Sequence, residues 1–469
     1  MYQDVTVTQP DNSYCASSSL DARLMAAGRT LLLALAVWLA PAAAQAQNDR
    51  PTADLAGVVG FAGRRITAID ITGQRVTKPF VIRREIHTTV GTPLDVALVQ
   101  QDVTRLENLG IFAEVRTSGE AAGDDGVRLV FTFRETPPWF PVLTYAYTEE
   151  NGGSIGVGVS SINLTGRALS VSARTYFGEV TQQWAQVSWP WITGDHVSFN
   201  LYAANLARRD VLRSFGEKSQ ELTPEIGTAV GMFGRVRAKF SAFRMQSDTA
   251  GITLSPSGQD QLFRLGASYV LDSRDSWTNP RNGWENEVEV WRTGGFLGGD
   301  GDWWSTNLDV RRWLPVSSGT KLMLSGLVSL QSGTLGKDVP VYMNYNLGGA
   351  NSIRGYGATD LGTAFSGKNQ MLGTAEYSFT IVPPRRFDLW KISLRLGAEI
   401  ATFADAGIAW SESRDLTLPR VRTGFGSGLR ILIPGTEMVR LDFGWSPDYG
   451  VHFHFASGSK PKAQRERRR

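Results

Sequence analysis

After Thr136-Pro137-Pro138 apolar and polar positions alternate with a period of two, and the pattern holds to Phe455. Ile155-Val157-Val159, Leu169-Val171-Ala173, Val197-Phe199-Leu201, Ile392-Leu394-Leu396, Val439-Leu441-Phe443-Trp445 and Val451-Phe453-Phe455 each put apolar side chains on one face. Ser, Gly, Asn, Arg, Lys and Asp occupy the other face, and Gly/Asp/Asn/Ser turns separate the runs. Runs of about ten alternating residues are the pattern of strands that cross a bilayer with one face in lipid. At roughly twenty residues per strand and loop, the stretch 137–456 holds about sixteen strands. An even number returns the last strand to the side from which the first one starts. The pattern therefore predicts a mainly β protein, built around a transmembrane antiparallel β-barrel of about sixteen strands.

Residues 64–136 follow a different rhythm. Ile66, Ala68, Ile69 and Ile71 predict a strand ending at Gly73. Thr77 is the expected cap of a first helix reaching Ile86, with Pro79 in its first turn. After Gly91-Thr92-Pro93, Asp95 is placed to cap a second helix. Its Val96, Val99, Val103, Leu106 and Leu109 share one face, and Gly110 is the expected stop. Strands over Ile111–Arg116 and Val127–Arg134 complete a β-α-α-β-β unit.

Upstream, Arg29, the apolar run Leu31–Ala40 and Ala44-Gln45-Ala46 form an export signal, too short to span a membrane as a helix. The polar, acidic stretch before it is wrong for a leader, so translation is expected to start at Met25. That leaves 1–24 outside the exported protein, 25–46 as the signal peptide and 47–63 as a linker. Cys15 falls upstream of this cleavage site, so no disulfide or thiolate site is expected in the exported chain. The net charge is +3, and the last ten residues hold six basic residues against one acidic. The basic character thus sits in a tail, 457–469, and gives no ground for nucleic-acid binding.

Twelve of the 14 Trp lie between Trp184 and Trp445. Trp189, Trp191, Trp284, Trp291 and Trp410 fall near strand ends, where interfacial girdles form. Arg235, Arg237 and Lys239 share one face of a strand and predict a basic lumen wall.

Asn346–Gly357 breaks the alternation. Four of its twelve residues are glycine, with Arg354 at the centre. Such a run suits a loop whose backbone packs closely against something while presenting one cation. Downstream stand Gly373-Thr374-Ala375-Glu376-Tyr377 and Phe403-Ala404-Asp405-Ala406-Gly407. These three motifs, in this order, resemble the outer-membrane assembly and translocation barrels that include BamA, TamA and the two-partner secretion transporters. The phrase Arg105-Leu106-Glu107-Asn108-Leu109-Gly110-Ile111-Phe112-Ala113-Glu114-Val115 is similar to the POTRA module of the same family, a small α+β periplasmic docking domain.

The resemblance implies that Gly348, Gly349, Ile353, Arg354, Gly355 and Tyr356 fold back into the barrel as a latch. Asp405, Glu376, Phe403 and Gly407 would receive it, in a wet polar lumen. It also implies a seam between the first and last strands, with Leu143 and Tyr145 facing Val451, Phe453 and Phe455, as the weakest pairing. Leu271-Asp272-Ser273-Arg274-Asp275, with Pro280 and Gly283, resembles the family at a strand–turn–strand junction without an evident role. Two features depart from the family pattern: one POTRA module rather than several, and a chain continuing past its last aromatic.

Apparent catalytic strings fail on context. Gly152-Gly153-Ser154-Ile155-Gly156 reads as a nucleophile elbow but sits in an alternating strand with no helix after it. Gly424-Phe425-Gly426-Ser427-Gly428 runs into strand and is expected to mark close backbone packing. His452 and His454 share the inward face of the last strand without further ligands for a metal. No enzyme, cofactor or metal site is expected. The implied partners are the outer-membrane bilayer, unfolded β-barrel or secreted polypeptide clients, and periplasmic chaperones or accessory proteins. The implied function is insertion of outer-membrane proteins, with a two-partner-type translocation pore or a passive structural barrel as the alternatives.

Overall fold

The computed structural model describes residues 55–457 except 110, 137–138, 149, 194–196, 277–278, 390–391 and 433–437. The leader, the start of the expected linker, Gly110 and the basic tail lie outside the described residues.

Sixteen strands form one antiparallel sheet, each pairing with its neighbour in the order of the chain. They run from β4 (Trp139–Thr148) and β5 (Gly152–Leu164) through β13 (Asp302–Ser317) and β14 (Thr320–Gln331). The long segment 332–368 holds a separate two-stranded pair, β15 (Tyr345–Asn346) and β16 (Ser366–Gly367). After it the large sheet resumes with β17 (Asn369–Leu389), β18 (Ile392–Trp410), β19 (Arg422–Leu432), β20 (Val439–Ser446) and β21 (Gly450–Ser457). The alternation is the reason for the wall: on β19, β20 and β21, Phe425, Phe443, Trp445, Val451 and Phe453 are exposed, while Arg430, Arg440, Asp442 and His454 are buried inside. Apolar side chains outside and polar ones inside are the burial scheme of a barrel in lipid.

Closure is incomplete among the described residues. Cα atoms of β4 and β21 come within 8 Å of each other, yet among those residues β4 is bonded only to β5 and β21 only to β20. Within β4, Leu143 pairs with Val157 and Tyr145 with Ile155 through the backbone; the side chains of both lie outside the described residues.

The small domain packs α1 (Ala56–Val59), α2 (Pro79–Arg83) and α3 (Val96–Asn108) on a sheet of β1 (Arg65–Thr72), β3 (Gly126–Glu135) and β2 (Phe112–Ala122). The strand order is β1-β3-β2, with β1 parallel to β3, leaving β1 and β2 as edges. Val81, Ile82, Val99, Val103, Leu106, Val127, Leu129 and Phe131 make its core. Asp95 does cap α3, accepting from the Ala97 and Leu98 amides.

Three expectations change here. The span read as linker is helical from Ala56, and Leu55 and Val58 are buried in this core. The N-cap of α2 is Lys78 without a side-chain bond. Thr77 instead accepts from Asn163 Nδ2 across the domain boundary, at 2.8 Å. The strand expected to stop at Arg116 continues to Ala122, because it follows β3 along its whole length.

The domain docks on the turns below β5 and below β7 (Thr181–Trp189). The Lys78 amide donates to the Gly166 carbonyl at 2.9 Å. Ala168 joins the domain's core, and the Arg84 guanidinium lies 4.2 Å from the Trp191 ring centroid.

The aromatic girdle differs from expectation as well. Trp191, Trp291 and Trp410 are buried, whereas Trp139, Trp304 and Trp445 are exposed. On β10 (Gly234–Ser247) the basic wall is largely neutralised. Arg237 pairs with Glu225 at 3.6 Å, and Lys239 with Glu289 at 2.8 Å and Glu225 at 3.6 Å.

Candidate functional site

The segment 332–368 enters the barrel, and its apolar residues fix it there. Leu347, Ile353, Tyr356 and Leu361 pack with Leu327, Leu372 and Ala409 of the wall. Gly348, Gly349 and Gly355 take φ of 103°, 86° and 104°, values that side-chain-bearing residues rarely adopt. The Gly349 amide donates to the Tyr356 carbonyl at 2.7 Å and closes the loop. A Cβ on Gly407 would come within 3.0 Å of Ile353 Cδ1, so that glycine makes room for the loop's apolar anchor.

Arg354 sits at the tip, fully buried. Its Nε donates to Asp405 Oδ2 at 2.7 Å and its Nη2 to Asp405 Oδ1 at 2.9 Å, while Nη1 reaches Glu376 Oε2 at 2.9 Å and Asp442 Oδ2 at 3.3 Å. The Phe403 ring lies against the guanidinium, 3.4 Å from centroid to Cζ. Thr374 Oγ1 donates to Asp405 at 2.8 Å. The expected latch loop and partners are therefore brought together, in a dry site rather than the wet lumen expected.

Further charged and polar groups belong to the site. Arg430 donates to both oxygens of Glu376 and to Asp442 Oδ1. Arg440 lies 3.6 Å from Asp442 and donates to Asn351 Oδ1 at 2.7 Å. Three guanidiniums thus face three carboxylates, and the cluster is neutral. His454 Nε2, on the last strand, accepts from the Gly355 amide at 2.9 Å. Ser446 Oγ donates to the Gly355 carbonyl, and Tyr356 donates to Asp448 at 2.9 Å. The loop is thereby tied to β20, β21 and the turn joining them. The alternation did place Arg430, Arg440, Asp442 and His454 on the inner face. Nothing in one strand says which inner residues of its neighbours they meet.

The glycine string on β19 has the expected meaning: a Cβ at Gly424 would stand 1.8 Å from the Arg354 carbonyl oxygen. Ser154 is a strand residue whose Oγ accepts from the Val180 amide at 3.1 Å. The Leu271–Asp275 motif turns the chain inward below the barrel. Asn279 in that turn donates to Glu399 Oε1 of β18 at 3.1 Å, beside Lys321 of β14, whose Nζ lies 3.0 Å from Glu399 Oε2. Of the remaining seam residues, Val451 and Phe453 are exposed and Phe455 is half-buried.

Residues 163–460 match the Omp85 superfamily domain. The chain belongs to the Omp85 superfamily. Residues 64–136 match the POTRA family, described as a surface antigen variable number repeat. The outer membrane protein assembly factor BamA of Neisseria meningitidis serogroup B is 26% identical, over 86% of this chain and 56% of that protein. BamA of Nitratidesulfovibrio vulgaris is 22% identical, over 82% of this chain and 49% of its own length. The chain thus spans about half the length of these curated relatives. Among solved folds, BamA from Haemophilus ducreyi lacking POTRA domains 1–3 superimposes with a TM-score of 0.58 at 17% identity, covering 84% of this chain and 83% of that one. CdiB from Acinetobacter baumannii does so with a TM-score of 0.54 at 13% identity, covering 85% and 73%.

Proposed function

We propose that this Omp85 protein is an outer-membrane assembly factor that inserts unfolded β-rich clients, with its POTRA domain in the periplasm. The seam carries the reading. A strand edge without a partner exposes backbone donors and acceptors, and an incoming strand satisfies them by adding to the sheet. Here β4 and β21 are both such edges. The edges β1 and β2 of the POTRA sheet, next to the barrel's periplasmic turns, offer the same chemistry to a client on its way in, whether delivered by a chaperone or directly.

A passive pore fits less well, because the segment 332–368 fills the outer half of the lumen. Val339 and Met343 pack with Phe215, Phe243, Met245, Leu262 and Trp303 of the wall. The role of Arg354 in this reading is mechanical: it pins the loop and, through Gly355 and His454, holds the last strand in place. The deciding experiment is depletion followed by outer-membrane proteomics. Broad loss of barrel proteins is the expected result. Loss of one secreted polypeptide alone would move the assignment to two-partner export, and an unchanged proteome would overturn both.

A further inference from the structure

The outward face of the wall changes from apolar to polar along one line. β8 (Val197–Asp210), β9 (Phe215–Val230), β10 and β11 (Gln259–Asp272) are the fifth to eighth of the sixteen strands, on the side of the barrel away from the β4 and β21 edges. Ala203, Leu222, Ala242 and Phe263 pair across these strands in a single row. From that row toward the POTRA domain the outward positions are apolar, with Ile226, Val230, Val236, Phe240 and Leu265 all exposed. Leu222 to Val230 is about the 9–11 residues with which a tilted strand crosses the hydrocarbon. The next row outward is Asn205, Gln220, Arg244 and Gln261, and the row beyond it includes Lys218 and Gln246.

These two rows look onto the bilayer surface and not into the lumen, because the alternate residues Glu217, Ser219, Phe243 and Met245 are the ones buried inside. Lys218 and Arg244 are exposed diagonal neighbours, about 7–8 Å apart. On the lumen side of the same strands Arg208 pairs with Glu217 at 2.7 Å. Lys218 and Arg244 form no ion pair among the described residues, and Arg244 Nη2 donates to the Gln259 side-chain oxygen at 2.7 Å. At the strand ends above them Asp248 accepts from the Gly216 amide at 2.7 Å and from Thr249 Oγ1 at 2.9 Å, and the exposed Arg209 acts on its charge. Arg209, Lys218 and Arg244 against Asp248 leave this face positive.

Position and chemistry together name the occupant. Rows flush with the edge of an apolar band are reached by the headgroups of the outer leaflet. A guanidinium and an ammonium within reach of one group call for a phosphate. Carboxamides both donate and accept, which matches the hydroxyls of a sugar. A rim that only has to lie at the membrane surface carries Trp and Tyr at this depth, and here the positions hold Asn, Gln, Lys and Arg.

We propose that the outer rim of β8–β11 binds the headgroup of a phosphorylated glycolipid of the outer leaflet, with Lys218 and Arg244 on a phosphate and Gln220, Gln246 and Gln261 on the sugar hydroxyls. The bound lipid steadies the wall away from the seam and leaves the β4 and β21 edges clear. The inference goes beyond the assembly role and is read as lipid held by purified protein, so its failure and that of the assembly reading are separate results.

The test uses the full chain purified in detergent, with bound lipid counted by native mass spectrometry. The probes are lipid A carrying its two phosphates, the same lipid dephosphorylated, and phosphatidylglycerol. Lipid A is expected to bind about tenfold more tightly than either of the others, the effect of losing one charge-assisted contact or a pair of neutral hydrogen bonds. Lys218→Gln combined with Arg244→Gln is expected to weaken lipid A binding about thirtyfold, as two basic residues beside an anionic lipid surface contribute. Arg414→Gln, which removes an exposed cation from the outer turn 411–421, is the control and is expected to be silent. Equal binding of the dephosphorylated lipid, phosphatidylglycerol held as tightly as lipid A, or a double variant that binds lipid A like the wild type overturns the proposal. The comparison of the three lipids on the wild-type chain keeps the test valid should the double variant not fold.

Discussion

Arg354 holds Asp405 through two parallel bonds, Nε to Oδ2 at 2.7 Å and Nη2 to Oδ1 at 2.9 Å, with both side chains entirely out of water. A guanidinium in a wet lumen would contribute about 1–3 kcal/mol. In a dry cluster of balanced charges, removing one partner leaves a buried carboxylate unpaired, which costs about 3–5 kcal/mol. Arg354→Ala is therefore expected to release the loop and abolish client insertion, while the barrel remains folded and heat-modifiable on gels. Arg354→Lys keeps the charge but not the parallel fork, and is expected to fall between. Proteolysis of the loop in intact membranes is the measurement. Full activity with a still-protected loop in Arg354→Ala would sink the latch.

The loop is held by shape as much as by charge, which gives an independent handle. Gly424 has an ordinary backbone conformation, so alanine there adds no strain, only a methyl group 1.8 Å from the Arg354 carbonyl oxygen. Gly424→Ala is expected to push the loop out and reproduce the Arg354→Ala phenotype with every charge intact. Gly326 on β14, with open space around its Cβ position, is the matched control and is expected to be silent. Equal activity of the two variants would show that the loop tolerates displacement.

The barrel was legible because alternation reports which face meets lipid. The pairing of Arg354 with Asp405 and Glu376 was legible only through the resemblance of three ordered motifs to a family, since a glycine-flanked Arg alone suits a surface loop as well. Asp442, Arg430 and Arg440 were not singled out, and His454 was weighed only as a metal ligand, since every strand of a barrel carries inward polar residues. Only the register of β18, β19 and β20 brings these particular ones to Arg354. Trp291 illustrates the reverse error. Its place near a strand end looks interfacial, but the period of two turns it inward over Gly266. Thr77 was a good cap by residue type, and a tertiary bond to Asn163 took its hydroxyl instead.

Acidity should tighten the POTRA domain's hold. Burial pushes the Glu85 carboxyl above the usual carboxylate range, with Arg84, Arg105 and the Trp191 indole offsetting part of the rise. Below an ordinary glutamate pKa of about 4.3, Glu85 is neutral whether folded or unfolded, and the packing carries no charge penalty. As pH climbs from there through the raised folded value, the unfolded form gives up its proton first, so stability is lost. Urea unfolding of the domain in the full chain, followed between pH 4 and 7, should show this slope in the wild type and a flatter one in Glu85→Gln. Identical slopes would remove Glu85 from the account.

In the proposed assembly role the seam is the edge to which a client strand would add. β21 begins at Gly450, whose φ of 74° suits a turn better than a strand, and the strand bonds only to β20. Its other edge faces β4 without a ladder among the described residues, so beyond its ladder to β20 the added tie is the loop, whose Gly355 donates to His454. Amides of β4 and β21 that face the seam are accordingly expected to exchange with deuterium far faster than those β21 directs at β20. The sharper test is a lock. In a Cys15→Ser background, one cysteine between positions 142 and 147 and another between 451 and 455 can be scanned for a pair whose Cα atoms lie about 4.4–6.8 Å apart, the span of a disulfide. Oxidation of that pair closes the edge a client strand would use, so insertion should stop, and reductant should restore it. Arg354→Ala, which frees the seam strand from the loop, should raise the rate at which the lock forms. A passive barrel would be indifferent to oxidation. If the locked protein still inserts clients at the full rate, strand addition at the seam is not the mechanism, and the POTRA edge would have to carry insertion alone.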